Sequence, residues 1–134
     1  MANIVDIEGI GEKFAATLRE HGISTVEGLL TDGGTAAGRK TIAEKTNIDA
    51  KRILEWVNRA DLMRIKGVGS EYGDLLESAG VDTVKELATR RADNLHAKMN
   101  EVNEAKKLVR RPPSLADVEK WVAEAKTLPG AVTY

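Results

Sequence analysis

The chain has 134 residues, of which 42% are hydrophobic and 31% charged, a balance typical of one globular domain or two very small ones. Its formal net charge of -1 excludes a strongly basic nucleic-acid protein of the histone kind, and the absence of cysteine excludes disulfides, thiol nucleophiles and thiolate metal sites. Because no apolar run approaches the roughly 20 residues of a membrane span and no signal-peptide pattern follows Met1, we expect a soluble cytoplasmic chain without a membrane partner.

The composition favours helices. Aromatic residues make up only 4% of the chain, and Ala, Leu, Glu, Lys and Arg dominate it. These residues have high helix propensity, whereas aromatic and β-branched residues favour strands. We therefore predict an all-α protein.

The chain contains an internal repeat. Residues 7–30 align with residues 65–88 at a constant shift of 58, with eight of the 24 positions identical. The similarity resumes at a shift of 65, where Trp56 matches Trp121, so the second copy has about seven extra residues, which we place around Val109 to Ser114. We predict two helical units, 4–62 and 63–128, packed together and followed by a tail, 129–134.

Glycines and capping residues delimit the helices of the first copy. We predict a helix over 12–21 ended by Gly22 and a short helix over 25–30 that begins at a capping box of Ser24 and Glu27. A third helix covers 36–46, and a longer one starts at Asp49 and carries Trp56.

The second copy repeats this order. Ser70 begins a helix that runs to Ala79 and is ended by Gly80, and Thr83 with Glu86 repeats the capping box. Further helices are predicted over 93–99, 102–109 and 115–127, the last of them capped by Ser114 after a double proline.

Each copy opens with two glycines one residue apart, in IEGIG and IKGVG, directly before an amphipathic helix. This is the pattern of a helix-hairpin-helix, in which glycines allow unusual dihedrals and let backbone N–H groups approach a phosphate. Ile10 and Val68, between the glycines, should point into the core. We expect bulky residues at Gly67 and Gly69 to meet forbidden dihedrals.

Each half resembles the small N-terminal domain of archaeal strand-exchange recombinases, in which such a hairpin is followed by a second, degenerate one. Here TNIDAKRILEWV would be that second hairpin, with Asn47 to Asp49 where the glycines normally stand. The whole chain resembles an uncharacterised bacterial family of paired helix-hairpin-helix units, a domain of unknown function. That resemblance implies a fold and no established activity.

Helix-hairpin-helix families mostly bind DNA without sequence preference through backbone amides, often with a monovalent cation held by hairpin carbonyls. The resemblance implies phosphate contacts at both glycine turns of this chain. It allows a monovalent cation at a hairpin, and we expect no other cofactor and no metal site. The backbone positions concerned are Gly9, Ile10, Gly11, Gly67, Val68 and Gly69.

Charge distinguishes the two turns. Asp6, Glu8 and Glu12 flank the first turn and would repel phosphate, which favours a purely structural role there. Residues 85–111 contain eight basic side chains against four acidic ones. The predicted nucleic-acid-binding residues are therefore Arg64, Lys66, Gly67, Val68, Gly69, Arg90, Arg91 and Lys98, with Gly9, Ile10, Gly11 and Lys13 as weaker candidates.

The sequence does not indicate an enzyme. The segment from Gly33 to Thr41 nearly matches a nucleotide-binding loop, but Arg39 shifts the lysine and threonine by one position, so we interpret it as a flexible inter-helix loop. Lys13 stands where bifunctional glycosylases of the helix-hairpin-helix class carry a Schiff-base lysine. It lies beside Glu12 in a unit too small for a base-binding pocket, so we expect an exposed helix residue and no small-molecule substrate.

The remaining aromatic and titratable side chains favour structural roles. Trp56 and Trp121 could stack on bases, but their matched places in an amphipathic pattern favour core packing. His21 precedes a helix-ending glycine, where a cation suits the helix dipole. The sequence suggests no partner for His96.

Two functions remain open. The first is weak, sequence-independent binding of nucleic acid through the second hairpin and its neighbouring basic helices. The alternative is a protein–protein adaptor or scaffold in which both hairpins are purely structural. The basic residues near the second turn favour the first function, and the near-neutral net charge favours the second.

Overall fold

The computed structural model describes residues 2–7 and 9–134, which form eight α-helices and one short 3₁₀ turn. An isolated bridge between Asn3 and Thr25 is the one β-like pairing in this described part of the chain. The all-α prediction is confirmed. By their contacts, the residues separate into two compact units, Met1–Asp61 with Ala131–Tyr134, and Leu62–Gly130.

The first unit begins with the 3₁₀ turn, in which the Asn3 side chain accepts a hydrogen bond from the backbone of Val5. Gly22, with φ of 85°, turns the chain after the first helix, and Asn47, with φ of 62°, ends the third. The unit contains the 3₁₀ turn Ile4–Asp6 and helices α1 (Glu12–Glu20), α2 (Val26–Gly33), α3 (Ala36–Thr46) and α4 (Ala50–Leu62).

The start of α2 differs by one position from the prediction. The Thr25 hydroxyl accepts a hydrogen bond from the N–H of Gly28 at 2.9 Å, so Thr25 is the N-cap. The predicted capping box of Ser24 and Glu27 is therefore wrong. Threonine and serine are both good N-caps, so residue type alone could not choose between two adjacent hydroxyls.

The glycine-rich segment after α2 is more regular than predicted. Gly33 still belongs to α2, and the Thr35 hydroxyl caps α3 by accepting from the N–H of Gly38 at 3.0 Å. Only Gly34 and Thr35 therefore connect the two helices, and the interpretation of Gly33 to Thr41 as a flexible loop is wrong.

The second unit contains helices α5 (Ser70–Ser78), α6 (Val84–Leu87), α7 (Ala92–Lys106) and α8 (Leu115–Ala125). Thr83 caps α6 by accepting from the N–H of Glu86 at 3.2 Å. Ser114 caps α8 in a reciprocal capping box with Asp117, so the predicted cap at Ser114 is confirmed.

Helix α7 is continuous, and the predicted division into helices over 93–99 and 102–109 is wrong. Its inward positions, Leu95, Met99 and Val102, keep one helical spacing and are buried. α7 has 15 residues against 11 in α3, and 107–114 spans eight residues against three in 47–49. From the start of α6 to the start of α7 the second copy is two residues shorter than the first copy is from α2 to α3. The longer helix and the longer loop, less these two residues, account for the seven extra residues of the second copy.

Both tryptophans lie in the core. Trp56 and Trp121 are 3% and 4% exposed. Trp56 packs on Phe14 with ring centroids 5.1 Å apart, and Trp121 packs on Tyr72 at 5.3 Å, each pair in a tilted geometry that aromatic rings prefer. The prediction that the tryptophans pack in the core is confirmed.

Candidate nucleic-acid interface

The two glycine turns have the same geometry. Gly9 and Gly67 have φ of 94° and 90°, in the left-handed region that favours glycine. After each of them comes a buried aliphatic residue, Ile10 or Val68, both 4% exposed. The N–H of Val68 donates to the carbonyl of Ile65 at 3.0 Å, and Ile10 makes the equivalent bond.

The second glycine of each turn has a different role from the one predicted. Gly11 and Gly69 have φ of -83° and -103°, which every residue can adopt. They are the N-caps of α1 and α5, and no described atom beyond their chain neighbours comes within 4 Å of a Cβ built at either position. The expectation of forbidden dihedrals at Gly69 is therefore wrong, while Gly67 meets it.

These glycine N-caps leave the first helical amides open. The first four N–H groups of a helix lack partners within the helix. Hydroxyl side chains cap α2, α3, α6 and α8, whereas in the described chain no side chain caps α1 or α5. An exposed turn followed by uncapped amides is a place where an anionic oxygen can be bound.

A carboxylate occupies one amide of the second turn. Lys66 is exposed, and its backbone N–H donates to Oε1 of Glu124 on α8 at 3.1 Å. Arg64 is half-buried. Glu124 was not predicted from the sequence, because the two bonded residues are 58 positions apart.

The basic residues predicted farther along the chain form ion pairs. The Arg90 guanidinium donates to the Glu86 carboxylate at 2.8 Å and to the carbonyl of Gly80 at 3.0 Å. Arg91 pairs with Asp93 at 3.0 Å, and Lys98 pairs with Glu101 at 3.8 Å along α7. Arg90 thus also anchors the turn that ends α5, a structural role that the sequence did not predict.

A groove of about 660 Å³ brings two of these residues together with a third cation. Arg90, Arg91 and Lys126 line it, together with the carboxylates of Asp93 and Glu119. Its apolar lining is Ala92, Leu115, Val122 and Ala123. Lys126 was not predicted from the sequence, although its helical spacing from Glu119 and Val122 places it on the same side of α8.

The last turn of α8 connects the groove with the glycine turn. Ala123 lines the groove, and Glu124 bonds to the N–H of Lys66. Successive residues of an α-helix are rotated by about 100°, so these two side chains leave α8 on adjacent faces. The groove and the glycine turn that precedes α5 therefore both adjoin the last turn of α8.

Asp93 at the start of α7 has a pKa below its ordinary value. The backbone N–H of Asn94 donates to its carboxylate at 2.8 Å, and the guanidinium of Arg91 does so at 3.0 Å. Both contacts stabilise the charged form. Asp93 is therefore ionised at neutral pH and offsets part of the positive charge in the groove.

The first turn has no comparable cluster in the described residues. Glu12 and Lys13 are exposed at the start of α1, and Glu12 lies 3.8 Å from Arg19. Glu8, predicted to repel phosphate here, lies outside the described residues. Gly9 and Gly11 thus have the turn geometry of the second unit, with the acidic Glu12 and the basic Lys13 both exposed beside them.

Both histidines have structural partners. Nδ1 of His21 lies 3.0 Å from the carbonyl of Thr17 at the end of α1. Nε2 of His96 lies 3.1 Å from the carbonyl of Pro113, which links α7 to the loop before α8. The sequence could not predict this contact because the two residues are 17 positions apart.

Comparison with known proteins identifies a family. The profile of a family described as Domain of unknown function (DUF4332) matches residues 8–128. The chain belongs to this family. Searches of curated proteins and of solved structures gave no match. Among the described residues of this DUF4332 chain, the helices are too short or too polar to cross a membrane.

The match to DUF4332 extends from the first glycine turn to three residues beyond the end of α8. It therefore covers most of both units and the whole groove. The family description names no ligand. The chemistry of the site must be inferred from the residues themselves.

Proposed function

We propose that the second unit binds nucleic acid weakly and without sequence preference, through phosphate groups. In this proposal the chain is a tandem helix-hairpin-helix protein without enzymatic activity, and the turn of Gly67 to Gly69 is a binding hairpin. The observation that carries the proposal is that the cationic groove and the glycine turn before the uncapped α5 both adjoin the last turn of α8.

Each part suits a phosphate for a different reason. The amides at the start of α5 are fixed donors at the positive end of a helix dipole. Arg91 and Lys126 are exposed, so they can exchange solvent or a surface ion pair for a phosphate oxygen. The side chain of Lys66, in the turn itself, is exposed as well.

The contacts are few, which limits the affinity. Arg90 is engaged with Glu86 and Gly80, and the N–H of Lys66 is engaged with Glu124. Asp93 and Glu119 also reduce the attraction of the groove for polyanions. We expect micromolar-range binding at low salt, with log affinity falling by about 0.9 per log unit of salt for each phosphate neutralised.

A titration of labelled duplex and single-stranded DNA of random sequence at two salt concentrations tests the proposal. Lys66→Glu combined with Arg91→Glu should weaken binding to all sequences alike and flatten the salt slope. Arg64 is left unchanged because it is half-buried. The matched control is Lys40→Glu with Lys51→Glu, two exposed lysines of the first unit whose reversal changes the net charge equally.

The control should bind like the wild type apart from a small general loss. Equal weakening by both double variants would indicate attraction by net charge alone and contradict a local site. Absence of wild-type binding at low salt up to about 100 μM would reject the nucleic-acid function, since a handful of phosphate contacts should be detectable there.

The alternative is a protein-binding adaptor, and the same groove favours it for a specific reason. Leu115 at its edge is 40% exposed, and Val122 and Ala123 add apolar lining between charges of both signs. Such a mixture suits an amphipathic helix that carries acidic residues. Leu115→Asp should abolish binding of such a partner, whereas it should change DNA binding only slightly.

A further inference from the structure

Arg39 is a buried cation in the first unit, with only 6% of its surface exposed. Its Nη1 donates to the carbonyl oxygens of Gly33 and Gly34, both at 3.0 Å, where α2 ends. Its Nη2 donates to the carbonyl oxygen of Thr133. A buried guanidinium is costly unless its donors are satisfied, so Thr133 supplies a necessary acceptor.

Residues 131–134 lie on the first unit as a segment without helix or strand structure. The N–H of Thr133 donates to the carbonyl of Gly34 at 2.8 Å, so Thr133 both donates to and accepts from this site. The Tyr134 ring lies 5.9 Å from the Arg39 guanidinium. Its hydroxyl donates to Oδ1 of Asn58 at 3.4 Å.

Gly34 permits the close approach of this segment. Its φ of -64° is ordinary, so the backbone conformation does not require a glycine. A Cβ at this position would, however, overlap the carbonyl oxygen of Ala131. The glycine is therefore required by the segment that passes over it.

We propose that the first unit carries a binding site for an extended peptide, formed by Gly34, Arg39 and Asn58 and occupied in cis by residues 131–134. The ligand is a peptide in which one residue donates and accepts main-chain hydrogen bonds. The next residue of this peptide is aromatic, and its ring lies over the guanidinium of the site. This site is separate from the nucleic-acid interface of the second unit and does not depend on it.

The contacts favour recognition of a segment over core packing. They involve the main chain of Thr133 and the face of an aromatic ring, while Tyr134 remains 73% exposed. Such a segment is held chiefly by directed bonds and by tethering, which supplies an effective concentration in the millimolar range. A free peptide of the same chemistry should therefore bind only when the tethered segment has left.

The first experiment measures amide hydrogen exchange in the 134-residue chain by NMR. The Thr133 amide should exchange at least about tenfold more slowly than the exposed Gly130 amide, because it is hydrogen-bonded. Thr133→Val keeps the N–H and should retain this protection. Exchange of the wild-type Thr133 amide at the unprotected rate would overturn the proposal.

The second experiment tests binding in trans. Thr133→Pro removes the N–H donor from the 134-residue chain, and a capped synthetic peptide of residues 129–134 is titrated against this variant. The proline variant should bind this peptide with millimolar-range affinity, whereas the wild type and Thr133→Val should bind it at least about tenfold more weakly because their site is occupied. The Thr133 amide could be protected in the wild type while the proline variant fails to bind the peptide. That result would show that residues 131–134 only pack on the first unit, and it would reject the binding site.

Gly34→Ala provides an independent test. This substitution should release residues 131–134 and remove protection of the Thr133 amide. The variant should also fail to bind the free peptide, because the added methyl group blocks the tethered segment and the free peptide alike. Peptide binding by this variant equal to that of Thr133→Pro would contradict the assigned position of the ligand. Its helix content by circular dichroism should stay at the wild-type level.

Discussion

The two units share a backbone plan and carry opposite charges. Their glycine turns, the caps of their first two α-helices and their buried tryptophans correspond position by position. At the shifts of 58 (residues 6–30) and 65 (residues 50–62), nine aligned positions are charged in both copies, and the sign is reversed at all nine. These pairs are Asp6/Arg64, Glu8/Lys66, Lys13/Glu71, Arg19/Glu77, Glu27/Lys85, Arg52/Asp117, Glu55/Lys120, Arg59/Glu124 and Asp61/Lys126.

This difference shows that fold and surface chemistry are specified at separate positions. The retained residues are buried, cap a helix or have positive φ, so packing and backbone geometry constrain them. The side chains of Lys13, Arg19 and Glu27, and their counterparts, are exposed. The fold tolerates either sign of charge at these positions, so the surface charge of each unit can be adapted to its binding partner.

The buried tryptophans provide the most severe test of the shared core. Trp56→Ala and Trp121→Ala should each lower the free energy of unfolding by about 3–5 kcal/mol, because each leaves a large cavity beside its aromatic neighbour. Urea denaturation measures the loss. Leu108→Ala, at a side chain that is 37% exposed, is the control and should cost much less. A small loss for Trp121→Ala together with lost DNA binding would instead indicate a base-stacking role.

The two glycines of a turn should respond unequally to substitution. Gly67→Val should cost about 1–2 kcal/mol, because φ of 90° is unfavourable for a β-branched residue and a Cβ would lie 3.4 Å from Nε1 of Trp121. Gly69→Val should be milder, because its φ is ordinary and open space surrounds it in the described structure. In the first turn, Gly9→Val should likewise lower the melting temperature more than Gly11→Val does. Equal losses at Gly67 and Gly69 would contradict the assigned turn.

Transferring charge between the units tests whether the turn itself is competent to bind. Glu8→Lys with Glu12→Lys should create DNA binding at the first turn and raise the affinity a few-fold, because phosphate repulsion becomes attraction while the uncapped α1 amides remain. The double variant is titrated at two salt concentrations in the Lys66→Glu and Arg91→Glu background. If binding does not appear, the backbone turn is insufficient without a neighbouring groove.

The smallest expected effect concerns acid stability. The pKa of Asp93 is lowered in the folded protein, so its carboxylate contributes stability above the ordinary value of 3.8 and loses that contribution as pH falls through the lower folded pKa. Asp93→Asn should therefore lose less stability than the wild type on acidification below 3.8. Ala37, the corresponding position in α3, carries no carboxylate, so Ala37→Asn should leave the acid response unchanged. Parallel acid denaturation curves of Asp93→Asn and the wild type would contradict this linkage.

Features with local causes could be predicted from the sequence. Glycines at 9 and 67 predicted positive φ, Ile10 and Val68 were expected in the core, and the double proline with Ser114 marked the start of α8. Each of these depends on residues a few positions apart. The repeat strengthened them because two copies specify the same turn.

Features that depend on distant residues could not be predicted. The bond from the N–H of Lys66 to Glu124 joins residues 58 positions apart, and Arg39 finds Thr133 across 94 positions. The continuity of α7 was also missed, because its polar residues near position 101 resemble a helix end locally. Only the folded protein shows that Met99 and Val102 are buried on one face of a single continuous helix.

The Arg39 contact also bears on synthesis of the chain. Its acceptor, Thr133, emerges from the ribosome 94 residues after Arg39 itself. At the usual pace of translation, about 5–20 residues per second, the first unit waits seconds with its guanidinium only partly satisfied. The first unit is therefore completed only after the entire second unit has been translated.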